Sequence, residues 1–515
     1  MVRADRAASV WLMGIDIGAG SLKTTIIDAR GRVAGSASRD LHTASPQPLW
    51  SEQDPDDWWQ ATCATVRQAL QEAGLAGNQI AAVSFSAGAH TPVIEDADGR
   101  VLRPAILWND QRSGVEAAEL EARHGAEILV LAGNRPVPTW TMPQLLWLAR
   151  HEPAVLQAAR RIYVAKDWLR SRLTGTWETD RTDAVGTLLY DAGKDVWSES
   201  LCAMIGLDPV LLPPVVEPSS VVAGVTAAAA AACGLAAGTP VVCGTSDTSA
   251  EAYGAGAAAP GQGTVKLATA ATVSLVGAAA HVHPTLINYP FAVPGLWYTI
   301  TGTNSCASAH RWLRDRFFMG DGAAGAQVFA AMDAWAAAAP AGADGLLFHP
   351  YLQGERAPHW DALLRADFVG MTFRHERGHF VRALYEGIAF SLRDILNQFR
   401  AQGLDLTEAR IIGGGARSAT WRQIVADVLG IRILLPAVTD ASFGAALIAG
   451  VGVGVFADHA SAVAACVSTL AVHEPDPASR ARYDALYPIW RDAALALIDI
   501  NHRLAALPAT TPGKD

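Results

Sequence analysis

The strongest constraint on this chain is a pattern that occurs twice. Residues 11–28 read WLMGIDIGAGSLKTTIID, an apolar run ending on a carboxylate (Asp16), a turn of small residues (Gly18–Ala19–Gly20–Ser21), and a second apolar run. Residues 261–277, GQGTVKLATAATVSLVG, repeat the design around the small polar turn Ala268–Thr272. Two strands joined by a tight small-residue turn form a hairpin. Such a turn also lets backbone N–H groups approach an anion closely, and a carboxylate beside it can organise a metal ion bound to that anion. One reading is therefore a duplicated phosphate hairpin, with Asp16 near Mg2+. The other is an ordinary hairpin at the start of a domain, and the stretch alone does not separate them.

At 515 residues the chain is too long for one core, so two domains or a few are expected. Half its residues are hydrophobic and 17% are charged, a globular and not a disordered composition. A formal net charge of −10 argues against nucleic acid or an anionic membrane as the main partner. It leaves room for a small anion held by local N–H groups. The six cysteines are scattered, with no C-x-x-C pair, and read as reduced thiols of a cytoplasmic protein. The first ten residues have no apolar core of signal-peptide length. The stretch Val221–Gly244 is interrupted by Gly224, Gly234, Gly238 and Pro240, which rules it out as a membrane span. The tail after Leu507 reads as frayed.

In EQDPDDWWQATCATVRQALQEAG, Asp54 caps a helix, Pro55 takes its first position and Gly74 stops it. The strand Ile80–Phe85 follows, ending at Ser86-Ala-Gly-Ala-His90. A histidine just past a strand end either faces a cleft or is structural. The strand Ala105–Trp108 leads to the polar cluster Asn109–Arg112. Residues from about 117 to 206 are mainly helical in pattern and read as an insertion. An Ala-rich helix (Thr226–Cys233) and the strand Pro240–Cys243 then lead to Gly244-Thr-Ser-Asp247. A carboxylate there lies where open α/β sheets hold their ligands, although an N-cap aspartate is the structural alternative. The stretch ARIIGGGARSATWRQIVADVLGIRILLP reads as a strand (Arg410–Ile412), three glycines, a helix from Ser418, and a strand (Ile431–Leu435). The bare backbone of Gly413–Gly415 can lie against a planar or charged ligand, or make only a tight turn.

In the second half, Leu384, Ile388, Leu392, Ile395 and Phe399 recur on one helix face. The loop PYLQGERAPHW before it is open to a structural reading, with Glu355 and Arg356 paired to neighbours. His375-Glu-Arg-Gly-His379 matches H-E-x-x-H, but a zinc site needs both histidines on one face of one helix. Here Met371–Phe373 reads as a strand, Gly378 falls inside the motif, and the helical period starts after His379. There is no P-loop, no G-x-G-x-x-G after a strand and no G-x-S-x-G elbow.

In their order, these stretches resemble the FGGY family of carbohydrate kinases, of the actin/hexokinase/Hsp70 ATPase superfamily. The resemblance runs over roughly residues 11–490. It rests on GIDIGAGSLK, EQDPDDWW, GRVLRPAILWNDQR, KDWLRSRLTG, the GTSD turn, PYLQGERAPHWD, FVGMTFRHERGHFVRALYEGIAFSLRD, GGGARSATWRQIVADVLG and SFGAALIAG. The last few stretches are closer to the xylulokinase branch than to the glycerol kinases.

The resemblance implies an α/β fold of two ribonuclease-H-like domains with a cleft between them. The N-terminal, sugar-binding domain is expected over 10–253, with the helical insertion at about 117–206. The C-terminal, ATP-binding domain is expected over 254–500, and a tail over 501–515. The implied activity is ATP-dependent phosphorylation of a sugar hydroxyl, most simply of a ketopentose such as D-xylulose. Asp247 falls on the family's catalytic aspartate, and Asp16 on the one that organises Mg2+, through water. ATP is expected on Gly18, Gly20, Ser21, Lys23, Thr269, Gly413, Gly414, Gly415 and Ala416. The sugar is expected on Ala89, His90, Trp108, Asp247 and Thr248.

Several positions depart from the family pattern. Ala87-Gly-Ala-His90 stands for the usual Gly-Gln-Met-His, Ala268-Thr-Ala270 for Gly-Thr-Ser, Thr248 for a common Asn, and Ala19 for a usual Thr. These changes keep a kinase in view but open the sugar to ribulose, a deoxy-ketohexose, a tetrulose, gluconate or glycerol. A catalytically inactive sugar- or nucleotide-binding regulator and an actin-like assembly protein are the readings from other classes. No nucleic-acid or membrane partner is expected, and a homodimer is in keeping with such enzymes.

Overall fold

A computed structural model describes residues 10–318 and 325–507; the stretch expected to fray, 508–515, lies outside them. The chain divides into two compact units. The first comprises residues 1–260, 276–299 and 437–468, and the second comprises 261–275, 300–436 and 469–515.

The sheet of the first unit contains β1 (Trp11–Ile17), β2 (Ser21–Asp28), β3 (Val33–Asp40), β4 (Ile80–Ala87), β5 (Val221–Gly224) and β6 (Pro240–Val242). Their order across the sheet is β3-β2-β1-β4-β6-β5, and the short β7 (Thr245–Ser246) pairs with the end of β4. The opening hairpin is antiparallel, while β1, β4 and β6 run parallel. Helix Pro55–Ala73 covers this sheet with the caps its sequence specifies. Asp54 accepts the Asp56 N–H at 3.0 Å, Pro55 opens the helix, and Gly74 closes it at φ 66°. The stretch read as an insertion holds several helices, among them Gly114–Ala132, Thr141–His151 and Ala165–Thr174. Trp168, Leu169 and Leu173 share one apolar core with Met13, Ile15 and Phe85, so part of this stretch helps build the domain core.

A second sheet repeats the same order with β8 (Gln262–Leu267), β9 (Ala271–Gly277), β10 (Trp297–Gly302), β11 (Glu408–Ile412), β12 (Arg432–Pro436) and β13 (Thr469–His473). The strands run β10-β9-β8-β11-β12-β13, again with an antiparallel hairpin, two parallel steps and an antiparallel edge strand. The repeat visible at the two hairpins therefore extends over six strands of each sheet, and the strand Ile287–Pro290 beyond β10 has no counterpart in the first. Helix Arg377–Ala401 buries the face formed by Leu384, Ile388, Leu392, Ile395 and Phe399 completely.

Two local expectations change. Met371–Phe373 is not a strand: the strand is Asp367–Val369, and Met371 and Phe373 are exposed beyond it. The helix starts earlier than its apolar period, at Arg377, because Glu376 caps it and His379 Nδ1 accepts the Glu376 N–H at 3.0 Å. His375 precedes that cap, so the H-E-x-x-H match is a helix start and not two histidines on one helical face.

Candidate active site

In the first unit, register brings the chemistry to one end of the sheet. Asp16 on β1 lies opposite Ser86 on β4, and Thr245 on β7 lies opposite the same Ser86. Helix Asp247–Gly254 leaves β7 directly, with Ser246 as its N-cap, which puts Asp247 in the first helical turn. Asp247 is therefore not itself the N-cap. A second helix, Ala441–Gly452, begins at Asp440, whose Oδ1 accepts the Phe443 N–H at 2.9 Å. Small residues let it come close. A Cβ on Gly14 would sit 1.8 Å from the Ser442 carbonyl, and one on Gly444 would sit 1.9 Å from the Ala250 carbonyl. Two helix starts are thus pressed toward the end of β1, each carrying an aspartate.

The electrostatics follow from that crowding. Burial pushes the Asp16 carboxyl up to about 8, the nearby Asp247 adds to the rise, and the Ser86 hydroxyl opposes it. Ser86 Oγ donates to Asp16 Oδ1 at 2.7 Å. On Asp247, Oδ1 accepts both the N–H (2.5 Å) and the hydroxyl (3.1 Å) of Thr248, and Oδ2 has no partner among the described residues. Lys23, expected on nucleotide, pairs here with Asp440 at 2.7 Å. The first turn is braced from behind. Leu41 N–H donates to the Gly20 carbonyl at 3.0 Å, Gln53 Nε2 donates to the Ala19 carbonyl at 2.7 Å, and Gln53 Oε1 accepts the Trp58 indole N–H at 2.8 Å. Among the described residues, nothing takes the N–H of Ala19 or Gly20.

Gly88 lies against Trp108, whose indole would be 2.9 Å from a Cβ at that position. Together with Gly18, Ala19 and Gln53 these two line a small cavity beside the first turn. Ala89 and Thr248 are half-buried, and Trp108 is exposed. His90 is buried, with φ 68°. Its Nδ1 donates to the Gly186 carbonyl at 2.6 Å, and its Nε2 accepts the Tyr289 hydroxyl at 2.9 Å. Its ring stacks on Trp140 at 4.1 Å between centroids. Burial holds the imidazole down at about 4, so it is neutral, and neither nitrogen is free for a ligand.

Behind β7 sits a charged cluster closed to solvent. Lys166 Nζ lies 2.5 Å from Asp167, 3.1 Å from Asp180 and 3.4 Å from Asp183. Thr245 donates to Asp180 Oδ2 at 3.0 Å, tying the cluster to the strand that precedes Asp247.

The second unit presents two further elements. The Ala268–Ala270 turn has its carbonyls held by Cys306 N–H and Ala307 N–H, and among the described residues nothing takes the N–H of Thr269 or Ala270. Arg311 Nη2 donates to Thr269 Oγ1 at 3.2 Å. The three glycines divide their work. Gly413 has φ 87°, and a Cβ on it would meet the Leu267 carbonyl at 2.7 Å; one on Gly415 would meet the Leu267 side chain at 2.8 Å. A Cβ on Gly414 would meet nothing within 4 Å, so its backbone is the bare one. Ala416 is buried, its carbonyl accepting Arg422 Nη1 at 2.6 Å.

These groups suit a nucleotide and its cation. Free paired N–H groups at a turn match phosphate oxygens. Asp16, with Asp247, Asp440 and Glu251 all raising its pKa, is a carboxylate that a divalent cation would relieve. Among the described residues no three His, Cys, Asp or Glu side chains converge tightly enough to hold an ion by themselves. The donor set therefore suits a cation that arrives with phosphate oxygens and water.

Sequence reasoning did not single out Ser86, Gln53, Asp440, Tyr289 or Lys166 as parts of the site. Asp440 carried a signal, as a capping aspartate before the small-residue run SFGAALIAG. Ser86, Gln53 and Tyr289 act through partners remote in sequence, which no local pattern shows, and Lys166, beside Asp167, joins its cluster through Asp180 and Asp183.

The FGGY family of carbohydrate kinases, N-terminal domain, matches residues 11–254, and its C-terminal domain matches residues 264–453. Xylulose kinase of Bacillus subtilis is 30% identical over 96% of this chain and 98% of its own length. Xylulose kinase of Escherichia coli is 34% identical over 81% and 84%. The crystal structure of xylulose kinase from Rhodospirillum rubrum is 32% identical, with a TM-score of 0.88 over 96% of this chain and 100% of that one. That of gluconate kinase from Lactobacillus acidophilus is 25% identical, also with a TM-score of 0.88, over 96% and 99%. With both halves matched and both hairpins in place, this chain belongs to the FGGY family of carbohydrate kinases.

Proposed function

We propose that this carbohydrate kinase transfers the γ-phosphoryl group of Mg·ATP to a hydroxyl of a ketopentose, with D-xylulose the first candidate. The observation that carries the reading is Asp247: it stands at a helix start beside Asp16, with Oδ2 unpartnered among the described residues. The names of the relatives, xylulose kinases in several bacteria, supply the sugar. In the proposed mechanism Asp247 Oδ2 accepts the proton of the attacking hydroxyl, while Thr248 holds Oδ1 and fixes the carboxylate's direction. In the first unit the N–H groups of Ala19 and Gly20, and in the second those of Thr269 and Ala270, offset phosphate charge. Mg2+ held beside Asp16 supplies further positive charge to the phosphates. Bare Gly414 is the backbone offered to the nucleoside. Trp108, Gly88 and Ala89 line the sugar side, with His90 shaping the wall and not hydrogen bonding through a ring nitrogen.

A kinase for another polyol, the reading opened by the small Ala87 and Ala89, is not favoured by the relatives, which are xylulose kinases. A cytoplasmic location and a homodimer belong to the same proposal. Among the described residues, no helix is long and apolar enough to cross a membrane.

The test is ADP release with Mg·ATP over ketopentoses, pentitols, ketohexoses, tetruloses, gluconate and glycerol, with Asp247→Asn run in parallel. One substrate should raise the rate well above the sugar-free background. The variant should bind nucleotide normally yet turn over about 10²–10⁴-fold more slowly, the range for a positioned general base. A variant with nearly full rate would overturn the assignment of Asp247.

A further inference from the structure

The loop PYLQGERAPHW is a sequence motif that the proposed chemistry leaves unused. Glu355 is buried at its centre. Its Oε1 accepts two backbone N–H groups, those of Asn304 and Arg356, each at 2.7 Å. Its Oε2 has no partner among the described residues, and neither does Ser305 Oγ or Arg356 Nε. Arg356 Nη2 donates to the Thr303 carbonyl at 2.8 Å, and Ala357 N–H to the Gly302 carbonyl at 3.2 Å. The loop therefore grips residues 302–304 by their backbone.

The far side of that segment grips the second phosphate turn. Thr303 N–H donates to the Ala271 carbonyl at 2.8 Å, and Ala271 N–H to Thr303 Oγ1 at 3.3 Å. Cys306 N–H reaches the Thr269 carbonyl at 3.0 Å, Ala307 N–H the Ala268 carbonyl at 2.8 Å, and Ser308 Oγ the Thr269 carbonyl at 2.7 Å. Fixing three carbonyls from behind turns the N–H groups of Thr269 and Ala270 the other way, where nothing in the described protein takes them. The shape of the turn is thus set by this backing and by its own Ala268 N–H to Ala270 carbonyl bond at 3.1 Å, and not by its side chains. That explains how alanines stand at 268 and 270, where the family usually has Gly and Ser.

We propose that Glu355 is a positioning residue for this turn, acting through the backbone of Asn304 and residues 303–308 and touching neither nucleotide nor sugar. The inference rests on the turn binding nucleotide phosphate. Burial pushes the Glu355 carboxyl up to about 7 against the pull of the two N–H donors, so the acceptor oxygen matters here more than a full negative charge. A glutamine keeps that oxygen in place. An aspartate keeps the charge but falls one methylene short of the two N–H groups.

The experiment measures ATP and ADP affinity calorimetrically, and separate KM values for ATP and sugar, in wild type, Glu355→Gln, Glu355→Asp and Ser308→Ala. The expected results are a Gln variant within about threefold of wild type, and an Asp variant with ATP affinity down about tenfold or more and sugar KM unchanged. Ser308→Ala, at a half-buried position in the first turn of helix Ala307–Leu313, should shift ATP affinity in the same direction by a smaller factor. Equal ATP affinity in wild type, Asp and Ser308→Ala proteins overturns the proposal, as does a Gln variant as weak as Asp. If the Asp variant does not fold, Ser308→Ala and Gln decide between the same two results. Wild-type protein that binds no adenine nucleotide would instead remove the kinase reading beneath it.

Discussion

Ser86 Oγ donates to Asp16 Oδ1 at 2.7 Å across the parallel pair β1 and β4, and among the described residues it is the one side-chain hydrogen bond that Asp16 receives. A single hydroxyl does not compensate a half-buried carboxylate beside Asp247 and Asp440, and its pKa is pushed up to about 8. The folded protein therefore holds a proton on Asp16 that the unfolded chain has lost above its ordinary value near 3.8. The destabilisation is absent below that ordinary value, grows as pH rises toward about 8, and is constant above it. Asp16→Asn should accordingly leave Tm nearly unchanged at about pH 4, raise it progressively toward about pH 8, and abolish kinase activity throughout. Scanning calorimetry of the nucleotide-free pair across this range checks it. A Tm difference that does not change with pH would mean that Asp16 is solvated or paired by something else.

How far the sequence discloses such a site depends on where its partners lie. The two hairpins are legible because each is a contiguous strand–turn–strand, and the caps at Asp54 and Ser418 because they act within one helical turn. The bracing of the first turn by Gln53 spans 34 residues, and the Lys23–Asp440 pair spans 417. Neither has a periodicity to read. The placement of Lys23 shows the limit. The resemblance implies that it contacts nucleotide, and the carboxylate that it pairs with comes from the helix after Asp440, which meets β1 at Gly14. His90 shows the same limit, since the group that occupies its Nε2 comes from Tyr289, far along the chain. Met371–Phe373 was misleading for a different reason: its apolar side chains are exposed, and alternation without burial is no evidence for a strand.

Tyr289 makes His90 a wall and not a hydrogen-bonding arm, and this can be undone with one oxygen atom. Tyr289→Phe keeps the ring, which stacks on Trp140 at 5.6 Å and on Tyr298 at 5.2 Å, but removes the hydroxyl that donates to His90 Nε2. The freed nitrogen is buried and must find a donor. The variant should lose about 1–3 kcal/mol of stability, the range for stranding a buried acceptor. A sugar hydroxyl is the donor the proposed site offers, so sugar KM and the ranking of substrates should change while ATP KM does not. Steady-state kinetics on the polyol panel would show this. An unchanged ranking with unchanged sugar KM would place His90 outside the sugar's reach.

The three glycines of 413–415 separate folding from ligand approach, because only one of them has room. Gly413 is in the left-handed region at φ 87°, with the Leu267 carbonyl 2.7 Å from where a Cβ would sit, so Gly413→Ala strains the backbone and collides with β8. Gly414 has no such conflict, since its Cβ would meet nothing within 4 Å. Gly414→Ala should therefore fold with wild-type Tm. Its single methyl group projects into space that the proposed reading assigns to the nucleoside, and it should weaken ATP binding by about tenfold. Gly413→Ala should lower Tm by several degrees, an effect on the order of 1–3 kcal/mol for a strained residue, whether or not nucleotide is present. Thermal melts with and without ADP distinguish the two. For Gly414→Ala the melting temperature of the free protein should match wild type and the ADP-induced rise should shrink. A full ADP-induced rise in that variant would mean that the bare backbone at 414 faces solvent and not the nucleotide.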